Sequence, residues 1–346
     1  MRFSIIVPVH NGEKYIEDCL NSALSECWDF KDAQIIVVEN GSTDKTGLIC
    51  DRLEKRTQEI KVIHEGAIGL YMARQRGIRE SEGEWIISLD ADDRLLPGML
   101  RTLDEKIREI EVSGKTVDMV LFGAADLDDQ SRRLSEPELD ENTVYSGEQK
   151  DVFKELICTD DSINAMWIKC VRKSMAMIDK KQEGLNYGED LYQSAVYIDR
   201  AEGIAYINKP LYLYRDNASS LSATYNKAYM DNQKFVWKSL DELVEKWGMK
   251  DYVDIISSRK SLTCAIAVSK ILYSGRGILA KKNELKALME DPFYKKYAEL
   301  ALPAWAPEED IFVHALMTRD DAYDALISNA RRAMLKNSVK KLIGKK

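Results

Sequence analysis

Residues Trp85-Ile86-Ile87-Ser88-Leu89 make a short apolar run, and the chain then delivers three carboxylates within four residues: Asp90, Asp92 and Asp93. Aromatic and β-branched residues in a short block read as a buried strand. A carboxylate buried beside such a strand is costly unless a cation or hydrogen-bond donors satisfy it. At the strand's C-terminal end, an Asp-x-Asp pair can instead face a crevice and share one hard cation. Mg²⁺ and Mn²⁺ prefer oxygen ligands and keep positions open for phosphate oxygens. A solvated acidic turn is the alternative, and this stretch alone does not decide between them.

The preceding sequence alternates strand and helix signals. Ser4-Ile5-Ile6-Val7-Pro8-Val9 is continuously apolar, as expected of a strand covered on both faces. Asn11-Gly12 reads as turn and cap. Ile16, Cys19, Leu20, Ala23 and Leu24 then recur at amphipathic-helix spacing. Gln34–Val38 reads as a second buried strand ending at Glu39-Asn40-Gly41-Ser42. A helix is predicted from about Asp44 to Arg56, a strand over Lys61–His64, and a helix over Gly69–Glu80. Interleaving of this kind implies a mostly parallel sheet covered by helices. Ligands of such sheets sit outside the C-terminal strand ends, where His10, Glu39, Asn40, Asp90 and Asp92 all fall. Beyond residue 115 the pattern loosens: Thr116–Phe122 is a strand candidate and Asp126–Glu141 reads as loop. From Tyr225 apolar residues recur at helical spacing (Phe235, Leu240, Leu243, Val244, Trp247), which predicts a separate helical region.

A chain of 346 residues suffices for one large domain plus a smaller one, or for two ordinary domains. Its net charge of −8 argues against a general nucleic-acid binder. No apolar run approaches the roughly 18–20 residues that span a bilayer. The N-terminus runs straight into a strand without a cleavage-site pattern, so no signal peptide is expected. The six cysteines are scattered, with no C-x-x-C, as suits buried thiols of a reducing cytoplasm. The segment Arg331–Lys346 contains no acid. Met334, Leu335, Val339, Leu342 and Ile343 can share one face, flanked by Lys336, Lys340 and Lys341. Such a helix either lies on an anionic membrane or packs as the last helix of a bundle.

Four blocks taken together resemble a known family. Ile5–Asn11, Val37–Asp44, Ala73–Ile78 and Gly83–Asp93 look like family 2 glycosyltransferases, in matching order and spacing. The resemblance resumes at Gly188-Glu189-Asp190, at Leu211-Tyr212-Leu213-Tyr214-Arg215 and at Ser220-Leu221-Ser222. It implies an α/β GT-A fold, Rossmann-like, with a mostly parallel sheet covered by helices and a C-terminal helical region. Residues 1–222 would be the nucleotide-sugar-binding and catalytic domain, and residues 223–346 the helical region with its basic tail.

The resemblance also implies roles. Pro8, His10, Asn11, Glu39, Asn40, Arg74 and Asp90 would line the nucleotide-sugar site, with His10 stacking on the base, usually uracil. Asn40 stands where the family usually has an acid, and an amide oxygen can still accept the uracil N3–H. Asp92, with Asp90, would hold Mn²⁺ or Mg²⁺, which acts as Lewis acid toward the departing diphosphate. Asp93 would cap the turn or the helix after Pro97. Asp190, in a helix's first turn where the dipole favours a carboxylate, would be the general base. Trp167 and Lys169 are candidates for the acceptor side. Each position has a plainer reading: a capping or core histidine at 10, a surface helix arginine at 74, helix capping at 190, a core tryptophan at 167.

The expected activity is an inverting, hexosyltransferase-type transfer from a nucleotide-diphosphate sugar, UDP-sugar favoured, to a hydroxyl of a glycan or lipid-linked acceptor. Its setting would be the cytoplasm, at the inner face of the cell membrane if the tail binds there. A nucleotidyltransferase is the alternative enzyme, but Pro8–Glu13 is neither Gly-rich nor basic. A non-catalytic nucleotide-sugar-binding module is the third reading. Dehydrogenase and P-loop readings fail for want of their glycine motifs.

Overall fold

The computed structural model describes residues 1–134, 137–178, 182–216 and 226–343, the last nine of these as helical backbone only. The chain divides into two compact units, Met1–Asn217 and Ala218–Lys346. This division and the boundary expected at 222/223 both fall within residues 217–225, outside the described residues, as does Ser220-Leu221-Ser222.

In the first unit, β1 (Phe3–Val9), β2 (Ala33–Asn40), β3 (Ile60–Glu65) and β4 (Trp85–Ser88) are joined by α1 (Ile16–Phe30), α2 (Thr46–Glu54) and α3 (Leu70–Glu80). Every residue of β1 is buried, because β2 and β4 flank it in parallel and helices cover both faces. The chain then forms β5 (Arg94–Leu95), α4 (Met99–Val112), β6 (Met119–Asp126), β7 (Arg133–Leu134), β8 (Tyr145–Ser146), α5 (Asp151–Thr159), β9 (Lys169–Arg172), α6 (Lys173–Ala176), α7 (Glu189–Arg200) and β10 (Gly203–Tyr214). The sheet runs β3-β2-β1-β4-β9-β6-β10-β5, with β7 on β6 and β8 on β10. From β1 the chain builds outward to β2 and β3, then returns to place β4 on the other side. That reversal makes the C-terminal ends of β1 and β4 the expected ligand crevice.

β6 reaches beyond the strand expected at 116–122. Its last residue, Asp126, turns its carboxylate onto the N–H groups of Asp128 and Asp129 at 2.8 and 3.0 Å, so a polar residue closes a buried strand at no hydrogen-bond cost. α4 begins after Pro97, but Asp93 does not cap it. Glu26 of α1 does, accepting from the N–H groups of Gly98 and Leu100 at 2.8 and 2.9 Å. All six cysteines are buried, and none of them is in a disulfide.

The second unit is helical: α8 (Tyr229–Trp247), α9 (Val253–Tyr273), α10 (Ile278–Glu290), α11 (Pro292–Tyr297), α12 (Glu308–Met317) and α13 (Ala322–Ile343). α9 is the hub, packed against the other five. Its buried polar groups are satisfied in place: the Trp237 indole donates to Thr263 at 3.0 Å, and Lys260 reaches Asp241 at 2.6 Å. α13 continues to Ile343, but the side chains expected to form its basic amphipathic face beyond Met334 lie outside the described residues. Among the described residues no helix is long and apolar enough to cross a membrane.

The turn into β4 leaves no room for a side chain. A Cβ on Gly83 would lie 2.5 Å from the backbone of Phe3 and Ser4, whereas one on Gly275 meets nothing within 4 Å. Gly83→Ala is expected to cost about 1–3 kcal/mol in urea unfolding, and Gly275→Ala to be near neutral; equal effects would contradict this packing.

Candidate active site

The loops after β1 and β2 are laced together. The Nδ1–H of His10 donates to the carbonyl of Asn40 at 2.9 Å, and its Nε2 accepts from the amide of Asn11 at 3.1 Å, which assigns the tautomer. The ring itself is exposed at the strand end. Asn11 adopts a left-handed φ of 54°. In that turn its N–H reaches the Ser42 hydroxyl at 2.9 Å, while its side-chain oxygen takes the Thr43 N–H at 2.8 Å. Pro8 is buried inside β1. It lies two residues past the last pairing with β4, Ile6↔Ser88, where a missing N–H is tolerated.

Glu39 is buried, accepting from the Ser42 N–H at 2.5 Å and facing His64 Nδ1 at 3.3 Å. Burial alone would raise its pKa, but the hydrogen bonds from Ser42 and His64 outweigh it and hold the carboxyl below its usual value. Asn40 has a structural task that the sequence did not reveal. Its side-chain oxygen accepts the N–H of Ile68 at 2.9 Å and so pins the loop after β3.

α3 carries the central cation. Arg74 is 1% exposed, with Nη1 3.2 Å from Asp190 and Nη2 3.6 Å from Asp90. Its Nε, also buried, has no hydrogen-bond partner among the described residues. The surface-arginine reading is therefore wrong for Arg74. Asp190 reaches this point because the loop before α7 is backed onto the start of α3: Tyr71 N–H donates to Leu185 at 3.2 Å and Leu70 N–H to the Asn186 side chain at 2.8 Å. Gly188 then takes a left-handed φ of 78° to begin α7. Asp190 Oδ2 also lies 3.4 Å from the Met166 N–H. Burial, then the neighbouring Asp190, pushes Glu189 well up. Asp90 is raised as well: burial and repulsion from Asp190 and Asp92 outweigh the pull of Arg74.

Asp93, 1% exposed, accepts from the Tyr212 hydroxyl at 2.7 Å and from the Arg215 N–H at 2.7 Å. Burial, then Asp90, pushes its pKa up to about 8. Among the described residues no cluster of three or more His, Cys, Asp or Glu side chains converges on a metal-sized point. Two carboxylates completed by a diphosphate is nonetheless a usual way to hold Mg²⁺, and Asp90 and Asp92 can supply that set.

The acceptor-side expectations divide. Trp167 is half-buried and stacks on Tyr212 and Tyr214 at 4.9 and 5.6 Å, an aromatic shelf against the end of β10. Lys169 is corrected. It is 1% exposed, and its ammonium donates to the carbonyls of Ile163 and Ala165 at 2.5 and 2.6 Å. It braces a loop, and burial lowers its pKa to about 7. Tyr212, Arg215 and Gln75 had been given no role. Gln75 is buried, with its oxygen on the Ile178 N–H at 2.9 Å; the signal for it was its place beside Arg74.

Residues 4–166, just under half of the chain, match the model of Glycosyl transferase family 2, which gives this segment a family 2 glycosyltransferase domain. The chain is 29% identical over 235 residues to the uncharacterized glycosyltransferase EpsJ of Bacillus subtilis, covering 66% of this chain and 65% of that one. It is 26% identical to glycosyltransferase GlyG of Streptococcus pneumoniae, over 64% of this chain and 73% of that one. The match thus spans just under two thirds of EpsJ's own length. The crystal structure of residues 1–349 of Staphylococcus aureus TarS in complex with UDP-GlcNAc superposes with a TM-score of 0.55 at 16% identity, covering 97% of this chain and 92% of that one. That likeness establishes the GT-A fold.

Removing Arg74 leaves two carboxylates facing one another without a cation. Arg74→Met is expected to destabilise the protein by about 3 kcal/mol at pH 7.5. The loss should shrink toward pH 5, because protonating Asp90, whose pKa is raised, relieves the repulsion; urea unfolding with an equal loss at both pH values would contradict the pairing. His64 supplies a second pH signature. Its hydrogen bond to Asp51, 2.8 Å from Nε2, raises its pKa above 6.5 against a smaller opposing effect of burial, and Glu39 adds to the rise. That contribution to stability is complete below the unfolded-state pKa and is lost as pH climbs through the raised folded value. Melting temperatures of wild type and His64→Gln should therefore differ at pH 5.5 and converge by pH 9.

Proposed function

We propose that this protein transfers a sugar from a nucleotide-diphosphate sugar, a UDP-sugar, to a hydroxyl of a glycan or lipid-linked acceptor, with inversion and with Mn²⁺ or Mg²⁺ bound. One observation carries the reading: Arg74 holds Asp90, on the donor side, and Asp190, the candidate base, within 3.6 and 3.2 Å of one guanidinium. The complex of Staphylococcus aureus TarS with UDP-GlcNAc supports a uridine donor, and the name of TarS, poly(ribitol-phosphate) β-N-acetylglucosaminyltransferase, supports a polymeric acceptor. TarS shares 31% identity with this chain over 94 residues. The acid-free, basic end of α13 supports the inner face of the membrane as the setting.

In this reading His10 lies against the base, and Glu39 with the turn through Ser42 closes the pocket around it. Asp92 and Asp90 hold the cation, which when bound neutralises charge on the departing diphosphate. The acceptor O–H gives its proton to Asp190. Its oxygen bonds to the anomeric carbon as the bond to the diphosphate oxygen breaks, and that electron pair leaves with the phosphate. Arg74 fixes the orientation of Asp190 toward this point, so the base need not be recruited from solvent.

The test is donor binding. UDP should raise the melting temperature more than GDP, ADP or CMP at equal concentration, since a ligand bound only by the native state at 100 times its Kd adds about 2.7 kcal/mol. With UDP the shift should require Mn²⁺ or Mg²⁺. Asp92→Ala should melt near wild type and lose the metal-dependent part of that shift. Equal or greater protection by GDP would mark a guanine-nucleotide donor instead.

A further inference from the structure

The loop that carries Asp90 and Asp92 is not held by its own strand alone. Four hydrogen bonds reach it from the end of β10, more than 115 residues away in sequence. The Asp90 N–H donates to the Tyr212 hydroxyl oxygen at 3.1 Å, and that hydroxyl donates to Asp93 Oδ2 at 2.7 Å. The Arg215 N–H donates to Asp93 Oδ1 at 2.7 Å, and Arg215 Nε donates to the Asp92 carbonyl at 2.7 Å. Tyr212 is fully buried, its ring fixed by the stack on Trp167 at 4.9 Å and 16°. Arg215 is anchored at the start of α1, over the ring of Tyr15 just before it at 5.0 Å and to Asp18 within it at 3.2 Å.

These bonds fall on the backbone of residues 90 and 92 and on the side chain of 93. None of the four takes an acceptor lone pair of the Asp90 or Asp92 carboxylates. A pair of ligands set on a four-residue turn loses geometry if the turn relaxes, and misplacement by about 1 Å is enough to impair a site. The chemistry also explains why an acid stands at 93. Two donors converge on it, one at each oxygen, and an amide would meet one of them with a second donor.

We propose that Tyr212 and Arg215 are positioning residues: with Asp93 as the buried acceptor between them, they latch the 90–93 turn so that Asp90 and Asp92 present their carboxylates together to a divalent cation and diphosphate. The inference deepens the reading under Proposed function and rests on it.

The test compares full-length wild type with Tyr212→Phe, which keeps the ring and its stack but removes the hydroxyl. Mn²⁺ is titrated into protein saturated with UDP, followed by the paramagnetic resonance of free Mn²⁺, and amide exchange at Asp90 is read without ligand. Tyr212→Phe is expected to weaken Mn²⁺ binding tenfold or more and to speed exchange of the Asp90 amide, while metal-free UDP affinity stays within twofold of wild type. Should Tyr212→Phe not fold, Arg215→Met carries the same expectation for Mn²⁺, since it leaves the β10 backbone and the Tyr212 hydroxyl in place. Unchanged Mn²⁺ affinity with wild-type exchange at Asp90 overturns the latch alone. Absence of Mn²⁺-dependent UDP binding in wild type, visible before any variant is made, overturns the metal reading and the latch with it.

Discussion

Arg74 is taken almost wholly out of water, and removing a guanidinium from water costs several kcal/mol unless opposite charge meets it. Asp190 and Asp90 supply that charge from two elements far apart in sequence. Asp90 in turn depends on that cation, since burial and repulsion from Asp190 drive it toward protonation. Arg74 therefore favours the ionised form of Asp90 and offsets the repulsion between the two acids, and the first unit has to bring α3, the end of β4 and the start of α7 to one place. Gln75, the neighbour of Arg74, ties down the segment before α7 by holding the N–H of Ile178. The hydrogen bonds from residues 70 and 71 to Asn186 and Leu185 complete the alignment.

The sheet serves this arrangement by its order. β1 lies between β2 and β4, so the loops after these strands open on one edge. On the β2 side, backbone and side-chain bonds between 10–11 and 40–43 tie the loops after β1 and β2 together. On the β4 side, the acidic turn is gripped from β10. In the proposed function the base and the diphosphate of the donor would lie at these two neighbouring strand ends.

Much of this was legible in the sequence, for a physical reason. Strands of a parallel sheet buried on both faces appear as unbroken apolar runs, so Ile5–Val9, Ile35–Val38 and Trp85–Ile87 announced themselves. Once those strands were placed, the polar residues at their ends followed. Asp190 came instead from the resemblance at Gly188-Glu189-Asp190, because an acidic first turn by itself reads as a helix cap. Contacts set by tertiary packing were not readable. Lys169 looks like a surface cation until the carbonyls of Ile163 and Ala165 are found around its ammonium. Glu26 gives no sign that it caps α4, 72 residues away. β9 escaped notice because it is four residues long with Lys and Arg at its ends. The role of Tyr212 depends on a partner 122 residues distant, which no local pattern encodes.

The joining of Asp90 and Asp190 through Arg74 has chemical meaning only if Asp190 takes the acceptor's proton. The direct measurement is single-turnover sugar transfer by Asp190→Asn, using the UDP-sugar that wild type turns over fastest, alongside the affinity of the same variant for UDP. The variant keeps the shape of the side chain and its contact with the Met166 N–H but loses the basicity. The rate should fall about 10²–10⁴-fold with UDP affinity unchanged. Transfer at near the wild-type rate would contradict the assignment and leave Asp190 as a helix cap.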